Sequence, residues 1–390
     1  FLYFLGFFIL MLVLKNDPWV SLLGAIGFAL SSYFFIILGA GHTSKAHAIG
    51  YMAPVLAGII LAFRGKLWPG TLLFTIALAL QIHSGHLQIT YYLLLIVAVY
   101  GIYELIRSIQ KKQLPYFAKV TGVLVIGALL GASTHITNLW ATYDYGKDTM
   151  RGKPELTKDQ DNKSSGLDRD YITNWSYGIG ETWSLLIPNA KGGASGLIGQ
   201  QEALEKADRN SRGEIARQSA YWGDQPGISG PVYVGAIVVF LFVLGLFIVR
   251  SKFKWALLAA TILSIFLAWG KNFMPFTDFF IDYIPGYNKF RAVSMTLVIA
   301  ELTIPILAFM ALGAAIRKRD ELKIQPKPLY YSLAITAGIT LVFYLFPTLF
   351  FDFLSQFELQ QFNSLKSQAD PVQIATFISS LEDVRIAIFK

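Results

Sequence analysis

The strongest constraint on this chain is the repeated occurrence of apolar runs long enough to cross a membrane. Of its 390 residues, 54% are hydrophobic and only 15% are charged, a balance that a water-soluble domain could not hide from solvent. A spanning helix needs about 20 apolar residues. We therefore predict an all-α polytopic membrane protein with about ten transmembrane helices. The ten runs are 1–14, 19–38, 49–63, 67–82, 87–106, 117–134, 231–249, 255–269, 292–316 and 329–346.

The lysines and arginines between the runs predict which helix ends face the cytoplasm. Alternate links carry fifteen cations, whereas the short links between them carry four, at positions 45, 271, 289 and 291. Short cytoplasmic loops have an excess of Lys and Arg, so the fifteen mark the cytoplasmic face. The chain then divides into six helices over 1–140, a large extracytoplasmic loop over 141–230, four helices over 231–347 and a second extracytoplasmic segment over 348–390.

The large loop has a polar middle and aromatic ends. Residues 147–169 are rich in Asp, Lys, Ser and Gly and predict a mobile segment, and residues 201–218 predict a short polar helix. Aromatic side chains at both ends are suited to the membrane interface, where an apolar ring and a polar edge are both satisfied. They include Trp175, Tyr177, Trp183, Tyr221 and Trp222.

Composition also excludes several classes of function. The formal net charge is +8, but the cations lie in short links and form no single basic patch, so we predict no nucleic-acid partner. The chain has no cysteine, which excludes disulfides and thiolate metal sites. It opens inside an apolar run without an initiator methionine or a signal peptide, and we expect it to be a fragment truncated at both ends.

The polar residues near or within the spans carry the candidate chemistry. All five histidines, at positions 42, 47, 83, 86 and 135, fall at the outer face, where they could move protons or bind metal, or could simply be interfacial residues. Their spacing matches no zinc signature. Glu301 lies within a span, where an ionised carboxylate costs roughly 2.5 to 3.5 kcal/mol, so a functional role and a hydrogen bond to a Ser, Thr or Tyr are both open. Glu104 is expected to pair with Arg107.

An ordered set of motifs points to a family. The set contains Gly41-His42, Gly85-His86 with Gln88, the run WSYGIGETWSLLIPN at 175–189, YWGD at 221–224 and NKFR at 288–291. In this order the motifs resemble the bacterial YfhO family of membrane proteins, most closely its Bacteroidetes members, along essentially the whole chain. The resemblance implies a GT-C-like fold in the bacterial inner membrane. It also implies a glycosyltransferase-like activity that moves a sugar from a polyprenyl-phosphate carrier to a cell-envelope glycan or lipid acceptor at the outer face.

The family pattern leaves the catalytic residue unassigned. GT-C proteins usually carry their catalytic acid in the first outer loop, which we expect to lie upstream of this fragment. The resemblance identifies no cofactor, although a divalent metal stays open. The remaining partners are membrane lipids, the lipid-linked sugar and the acceptor.

Seven residues are predicted to bind substrate. His86 and Gln88, with His42 nearby, are expected to line an outer cavity because side chains at the helix ends can stay polar only where water or substrate reaches them. Glu181 and Asp224, beside Trp183 and Trp222, suit the hydroxyls and faces of a glycan. Lys289 and Arg291 would hold the carrier phosphate near the first turn of the next helix. The seven are His42, His86, Gln88, Glu181, Asp224, Lys289 and Arg291.

Two other classes of function compete with this interpretation. In a secondary transporter, polar residues at the break around residue 84 would line the substrate path, and Glu301 would carry protons. We see no internal repeat relating two halves of the chain, which counts against this class. A non-catalytic envelope-assembly or flippase-like protein is the third alternative. An acidic residue in an outer loop upstream of residue 1 would favour the enzyme.

Overall fold

The computed structural model describes residues 1–152, 164–365 and 370–390, which form a helical bundle with one small sheet. Strands β1 (Gly192–Leu197) and β2 (Ser219–Tyr221) pair antiparallel in the large loop. The helices of the described residues, in chain order, are α1 (Leu2–Val13), α2 (Pro18–Ala29), α3 (Ser32–Gly39), α4 (Thr43–Gly50), α5 (Met52–Phe63), α6 (Leu67–His83), α7 (Leu87–Gln110), α8 (Leu114–Ser133), α9 (Ile136–Gly146), α10 (Arg169–Thr173), α11 (Arg212–Ile215), α12 (Ala236–Ile248), α13 (Phe253–Trp269), α14 (Met274–Tyr283), α15 (Val298–Arg317), α16 (Arg319–Ile324), α17 (Lys327–Leu333), α18 (Ile339–Leu345), α19 (Pro347–Phe350), α20 (Gln356–Leu365) and α21 (Pro371–Phe389).

Each of the ten apolar runs contains a helix, and seven helical segments are long and apolar enough to cross a membrane. The predicted helical class is confirmed apart from the small sheet, and the seven long apolar segments agree with a membrane-embedded multi-pass protein. Three of the ten predicted spans, α1, α6 and α12, are apolar but shorter helices of 12, 17 and 13 residues. The seven long segments are Pro18–Gly39, Thr43–Phe63, Leu87–Gln110, Leu114–Ser133, Phe253–Tyr283, Val293–Arg317 and Lys327–Leu345.

Helix α15 is the central helix of the bundle. In its span, Val293–Arg317, 89% of the most apolar stretch is buried, against 17% in Lys327–Leu345, which is therefore peripheral. The regular α-helix begins later than the sequence predicts. Ala292 is left-handed with φ 58°, and Val293–Leu297 forms a 3-10 helix before α15 starts at Val298.

Small residues bring two helices into backbone contact. A Cβ added to Gly58 of α5 would lie 2.5 Å from the Phe74 nitrogen, and one added to Gly70 of α6 would lie 2.4 Å from the Ala62 nitrogen. Because apolar attraction between helices is weak in lipid, such close packing of small residues is a main source of helix association there. The expected pair of Glu104 with Arg107 on α7 is confirmed at 3.0 Å.

The large loop folds against the C-terminal helices. The predicted helix over 201–218 is wrong: a 3-10 turn, Glu202–Lys206, and the single-turn α11 replace it. The reason is burial, because these turns direct apolar side chains into a core shared with α20 and α21. This core contains Ile198, Leu204, Ala207, Ile215, Ala216, Leu354, Phe362, Leu381 and Val384.

The polar middle of the loop, predicted to be mobile over 147–169, lies partly outside the described residues. Its described end is held in place. The Leu167 N–H donates to the Asn288 carbonyl at 2.9 Å. Arg169 forms ion pairs with Asp278 at 3.0 Å and with Asp282 at 2.7 Å. Residues 164–169 are therefore docked on the segment that follows α13.

Candidate functional site

A cavity of about 320 Å³ opens where the large loop meets the outer ends of the helices. Helix α3 and the start of α4 form one wall, the loop forms a second, and the irregular stretch before α15 forms a third. The lining combines apolar side chains with three cations and one carboxylate. The charged members are Lys45, Lys191, Arg291 and Glu181.

Lys45 is buried on α4 and directs its ammonium group toward this cavity. Lys45 is only 8% exposed, and its Nζ lies 5.3 Å from the ring centroid of Tyr33. Among the described residues, no carboxylate forms an ion pair with it. A buried ammonium group requires a compensating charge or dipole, and here the Tyr33 ring is the contact that supplies part of it.

Arg291 reaches the cavity from the stretch before α15. Its Nη1 donates to the Tyr171 hydroxyl at 2.7 Å, and its guanidinium lies 5.6 Å from the Trp175 ring centroid. The backbone is held as well, because the Nε2 of Gln88 donates to the Arg291 carbonyl at 2.6 Å. The left-handed turn at Ala292 then redirects the chain into α15. These contacts hold a planar, fork-shaped donor at the edge of the cavity.

Glu181 is the carboxylate of the cavity and is held by three donors. Its Oε1 accepts from the Tyr221 hydroxyl at 2.7 Å and from the Gln225 amide at 3.2 Å, and its Oε2 accepts from the Gly178 N–H at 2.6 Å. Burial nevertheless raises the pKa of Glu181 above its ordinary value, against these hydrogen bonds. The charge of Asp224 adds to the increase.

Lys191 completes the charged lining. Its Nζ donates to the Asp352 carbonyl at 2.8 Å, and burial lowers its pKa despite the nearby acidic groups. Three cations thus face one carboxylate that is itself biased toward its neutral form. The excess positive charge makes the cavity suitable for an anion.

Three of the seven predicted substrate-binding residues line this cavity: His42, Glu181 and Arg291. His42 precedes α4 at the cavity mouth, and burial, together with the charge of Lys45, lowers its pKa. Both effects favour a neutral imidazole there.

The other four predicted residues are outside the lining. His86 caps α7 through its Nδ1, which accepts from the Ile89 N–H at 3.4 Å. Gln88 donates to the backbone carbonyl of Arg291 and does not line the cavity itself. Lys289 donates to the carbonyls of Arg151 and Ser165, both at 2.7 Å, and so ties the loop to the bundle. The fourth, Asp224, lies beside Gly178, and its charge contributes to the raised pKa of Glu181.

The expected glycan-facing role of two tryptophans is wrong for Trp222, which is fully buried, and Trp183 also packs inward. Trp222 lies 6.1 Å from the Phe353 ring and 5.4 Å from the Arg385 guanidinium. Trp183 makes an edge contact with Phe343 at 4.8 Å. The apolar residues of the C-terminal segment cover both rings. Trp175, whose indole nitrogen donates to the Gly227 carbonyl at 3.2 Å, is the tryptophan that faces the cavity.

Glu301 lies in the first turn of α15 and is buried. Ser31, at the break between α2 and α3, donates to its Oε2 at 3.1 Å, which confirms the expected hydrogen bond to a neighbouring helix. Its Oε1 has no hydrogen-bond partner among the described residues. Tyr177 of the cavity lining is close enough that the charge of Glu301 contributes to its raised pKa, after the larger effects of burial and Glu181.

Two functional candidates were missed from the sequence. Lys45 and Lys191 line the cavity, yet only Lys45 had a signal, as one of four cations in short links on the face where cations are scarce. Within the described ranges, no group of three or more His, Asp or Glu side chains is arranged to hold a metal ion.

The comparisons with known proteins do not extend this assignment. No protein-family model matches the chain, and no curated protein or solved structure matches it either. The resemblance to the YfhO family therefore stays a prediction based on the ordered motifs, and the cavity carries the functional argument.

Proposed function

We propose that this chain is a GT-C-like membrane glycosyltransferase that binds a polyprenyl-phosphate-linked sugar in the outer cavity. The observation that carries the proposal is the convergence of Lys45, Lys191 and Arg291 on one partly apolar cavity at the outer end of the bundle. Transfer of the sugar releases the polyprenyl phosphate as the leaving group. The negative charge that develops on its phosphate must be stabilised as the bond to the sugar breaks. Three cations around one cavity meet that need.

The lining also suits the other parts of the ligand. Ile36, Ile37 and Val232 provide an apolar wall against which the first isoprene units would pack. Trp175 presents a ring to a sugar face, and Glu181 offers a carboxylate to sugar hydroxyls. The acceptor would be a glycan or lipid of the cell envelope that enters from the outer side. We assign no catalytic base.

Carrier binding provides the direct test. The purified chain is titrated with polyprenyl phosphate and, separately, with the corresponding polyprenol, which has the same chain but no charge. We expect the phosphate to bind about tenfold tighter or more, since each charge-assisted hydrogen bond contributes about 1.5 to 3 kcal/mol. The double variant Lys45→Gln with Arg291→Gln should lose most of that preference.

Two matched controls remove outer cations that do not line the cavity. Lys271→Gln changes an exposed residue, and Lys289→Ala changes one that bonds to loop carbonyls. Both should keep the preference for phosphate within about twofold, because neither side chain lines the cavity. Equal affinity for phosphate and polyprenol in the parent chain would rule out the proposal.

A proton-coupled transporter is the second candidate, and one observation favours it. Glu301 is a buried carboxylate with one oxygen unpaired among the described residues, and it lies near Tyr177 of the cavity wall. Such a group within a membrane span is a common proton carrier. Uptake of a substrate into proteoliposomes driven by a pH gradient, and lost in Glu301→Gln, would favour transport over transfer.

A further inference from the structure

A second cavity, of about 430 Å³, lies at the other end of the bundle, and cations dominate its wall. Helix α15 connects the two cavities, because the stretch before it lines the first and its last residue, Arg317, lines the second. This end carries the cations that predict the cytoplasmic face. Among the described residues, none of those lining it is acidic. The five cations are Lys15, Arg64, Arg250, Arg317 and Lys318.

Topology and helix ends explain part of this charge. Helices α1, α5, α12 and α15 all end here, and each C-terminal end carries about half a negative charge. Arg64 donates to the Val13 carbonyl, and Lys318 pairs with Glu321 at 3.6 Å. Four helix ends and one carboxylate offset about three of the five cations, so about two positive charges stay unmatched.

The unmatched charge lies on Lys15, Arg250 and Arg317. No carboxylate of the described residues forms an ion pair with any of them. They come from three different links, after α1, after α12 and at the end of α15, yet they face one cavity. A positive-inside bias by itself requires cations on this face but does not require them to converge.

The turn after α1 places Lys15 at the cavity. This residue has φ 61°, the left-handed region, where glycine or asparagine is favoured. The turn is a Schellman motif. The Asn16 N–H donates to the Met11 carbonyl at 3.1 Å, and the Lys15 N–H donates to the Leu12 carbonyl at 2.9 Å. The Asn16 side chain then donates to the Phe309 carbonyl at 2.9 Å and fixes the turn on α15. A lysine thus occupies a glycine-type position beside the cavity.

We propose that this inner cavity binds the phosphate group of an anionic phospholipid. Lys15, Arg250 and Arg317 would hold the phosphate oxygens, since arginine provides paired donors and lysine a compact charge. Apart from the cations, Asn16 and Ser251, the lining is apolar and would contact the start of the acyl chains, as lipid sites between membrane helices do. These apolar residues are Leu14, Ile248, Val249, Met310 and Ala314.

The test is a lipid titration of the purified full chain, read by native mass spectrometry. Phosphatidylglycerol is compared with phosphatidylcholine of the same acyl chains. A triple variant, Lys15→Gln, Arg250→Gln and Arg317→Gln, is compared with a control triple variant, Lys111→Gln, Lys119→Gln and Lys323→Gln. The control removes the same charge from the same face at exposed positions that do not line the cavity.

We expect the parent and the control to prefer phosphatidylglycerol and the cavity variant to lose that preference by about tenfold to a hundredfold, since each interfacial cation contributes about 1 kcal/mol. Lys15→Gly provides a variant that should fold at least as well as the parent, because glycine relieves the left-handed strain, while binding the lipid about fivefold more weakly. Equal losses in the two triple variants, or no lipid preference in the parent, would overturn the proposal.

Added inorganic phosphate separates the two possible sources of the anion. If it displaces phosphatidylglycerol from the parent chain, and Lys15→Gly weakens this displacement, the phosphate alone is the ligand and a soluble phosphorylated compound could also occupy the site. If it does not, the acyl chains contribute and the site is specific for lipid. Both results support a phosphate site, because both depend on the same cations.

Discussion

The Tyr221 hydroxyl donates a 2.7 Å hydrogen bond to the Glu181 carboxylate across 40 residues of sequence, and this contact joins the two aromatic ends of the large loop. Tyr221 ends strand β2, and Glu181 lies in the 3-10 turn Gly180–Leu185. The pair forms one wall of the outer cavity. The shape of the proposed substrate site therefore depends on a contact within the loop.

Tyr221→Phe should destabilise the loop by about 1 to 3 kcal/mol, because it removes one of the three donors of a buried carboxylate. Thermal unfolding of the purified protein measures the loss. Tyr283→Phe is the control, since Tyr283 is 73% exposed. An unchanged melting temperature for Tyr221→Phe would show that water or another group replaces the bond without cost.

The raised pKa of Glu181 predicts a pH dependence with a definite sign. The folded protein holds the Glu181 proton more tightly than the unfolded chain does, so the contribution of Glu181 to stability is greatest at low pH. It is lost as pH rises from about 4.3, the ordinary glutamate pKa, through the raised folded-state pKa. In Glu181→Gln, the melting temperature should depend less on pH over this range. The same slope in the variant would mean that other groups cause it.

Arg385→Met should strongly destabilise the layer formed by the loop and the C-terminal helices. Arg385 is fully buried, pairs with Glu358 at 2.6 Å and donates to the Ser219 carbonyl at 3.0 Å. Removing one partner of a buried pair costs about 3 to 5 kcal/mol. Denaturant unfolding followed by the tryptophan fluorescence, to which the buried Trp222 contributes, should report this loss. The exposed-site control Arg209→Met should stay within about 0.5 kcal/mol.

The same pair predicts acid sensitivity of the opposite sign. Burial alone would raise the pKa of Glu358, but the hydrogen bonds and charge of Arg385 outweigh it and lower the pKa below its ordinary value. The stabilisation is present above the unfolded-state pKa and is lost as pH falls through the lowered folded-state pKa. In Arg385→Met the acid-side loss measured by the same unfolding experiment should be smaller. If the variant loses as much stability at low pH as the parent does, this pair is not the source of the acid sensitivity.

Gly70→Ala should disrupt the contact between α5 and α6. The new methyl group would lie 2.4 Å from the Ala62 nitrogen, and overpacking of this kind costs about 1 to 3 kcal/mol. Gly101→Ala on α7 is the matched control, because open space surrounds its Cβ position and alanine is the better helix former by about 1 kcal/mol. The melting temperature should therefore fall in Gly70→Ala and rise in Gly101→Ala. A shared direction would contradict the packing argument.

The predicted topology is tested by labelling. The chain contains no cysteine, so single cysteines at the exposed positions Ser165 and Ser251 report unambiguously. A membrane-impermeant thiol reagent added to intact spheroplasts should modify Ser165→Cys and spare Ser251→Cys. The reverse pattern would place the outer cavity in the cytoplasm and exclude the proposed use of an external acceptor.

The helical class and the positions of the apolar helices could be predicted from the amino-acid sequence. Apolar runs over 49–63 and 292–316 predicted spans, because a backbone in lipid must satisfy its own hydrogen bonds within a helix. The local pair of Glu104 and Arg107 was also predictable, since it needs only residues three apart on one helix. The unequal distribution of Lys and Arg between alternate links predicted the side of the membrane on which each cavity opens. All of these depend on short-range patterns.

Which residues share a cavity depends on contacts between distant parts of the chain. Gln88 donates to the carbonyl of Arg291, 203 residues away, so it supports the site from behind instead of lining it. Trp222 is buried because α21 and the stretch before α20 supply apolar residues that cover it. Lys45 and Arg291 share a cavity because the loop packs against both helix ends. Helical and strand periodicity gives the face on which a side chain lies but not the partner which that face meets. That partner is set by how the loop packs against the bundle.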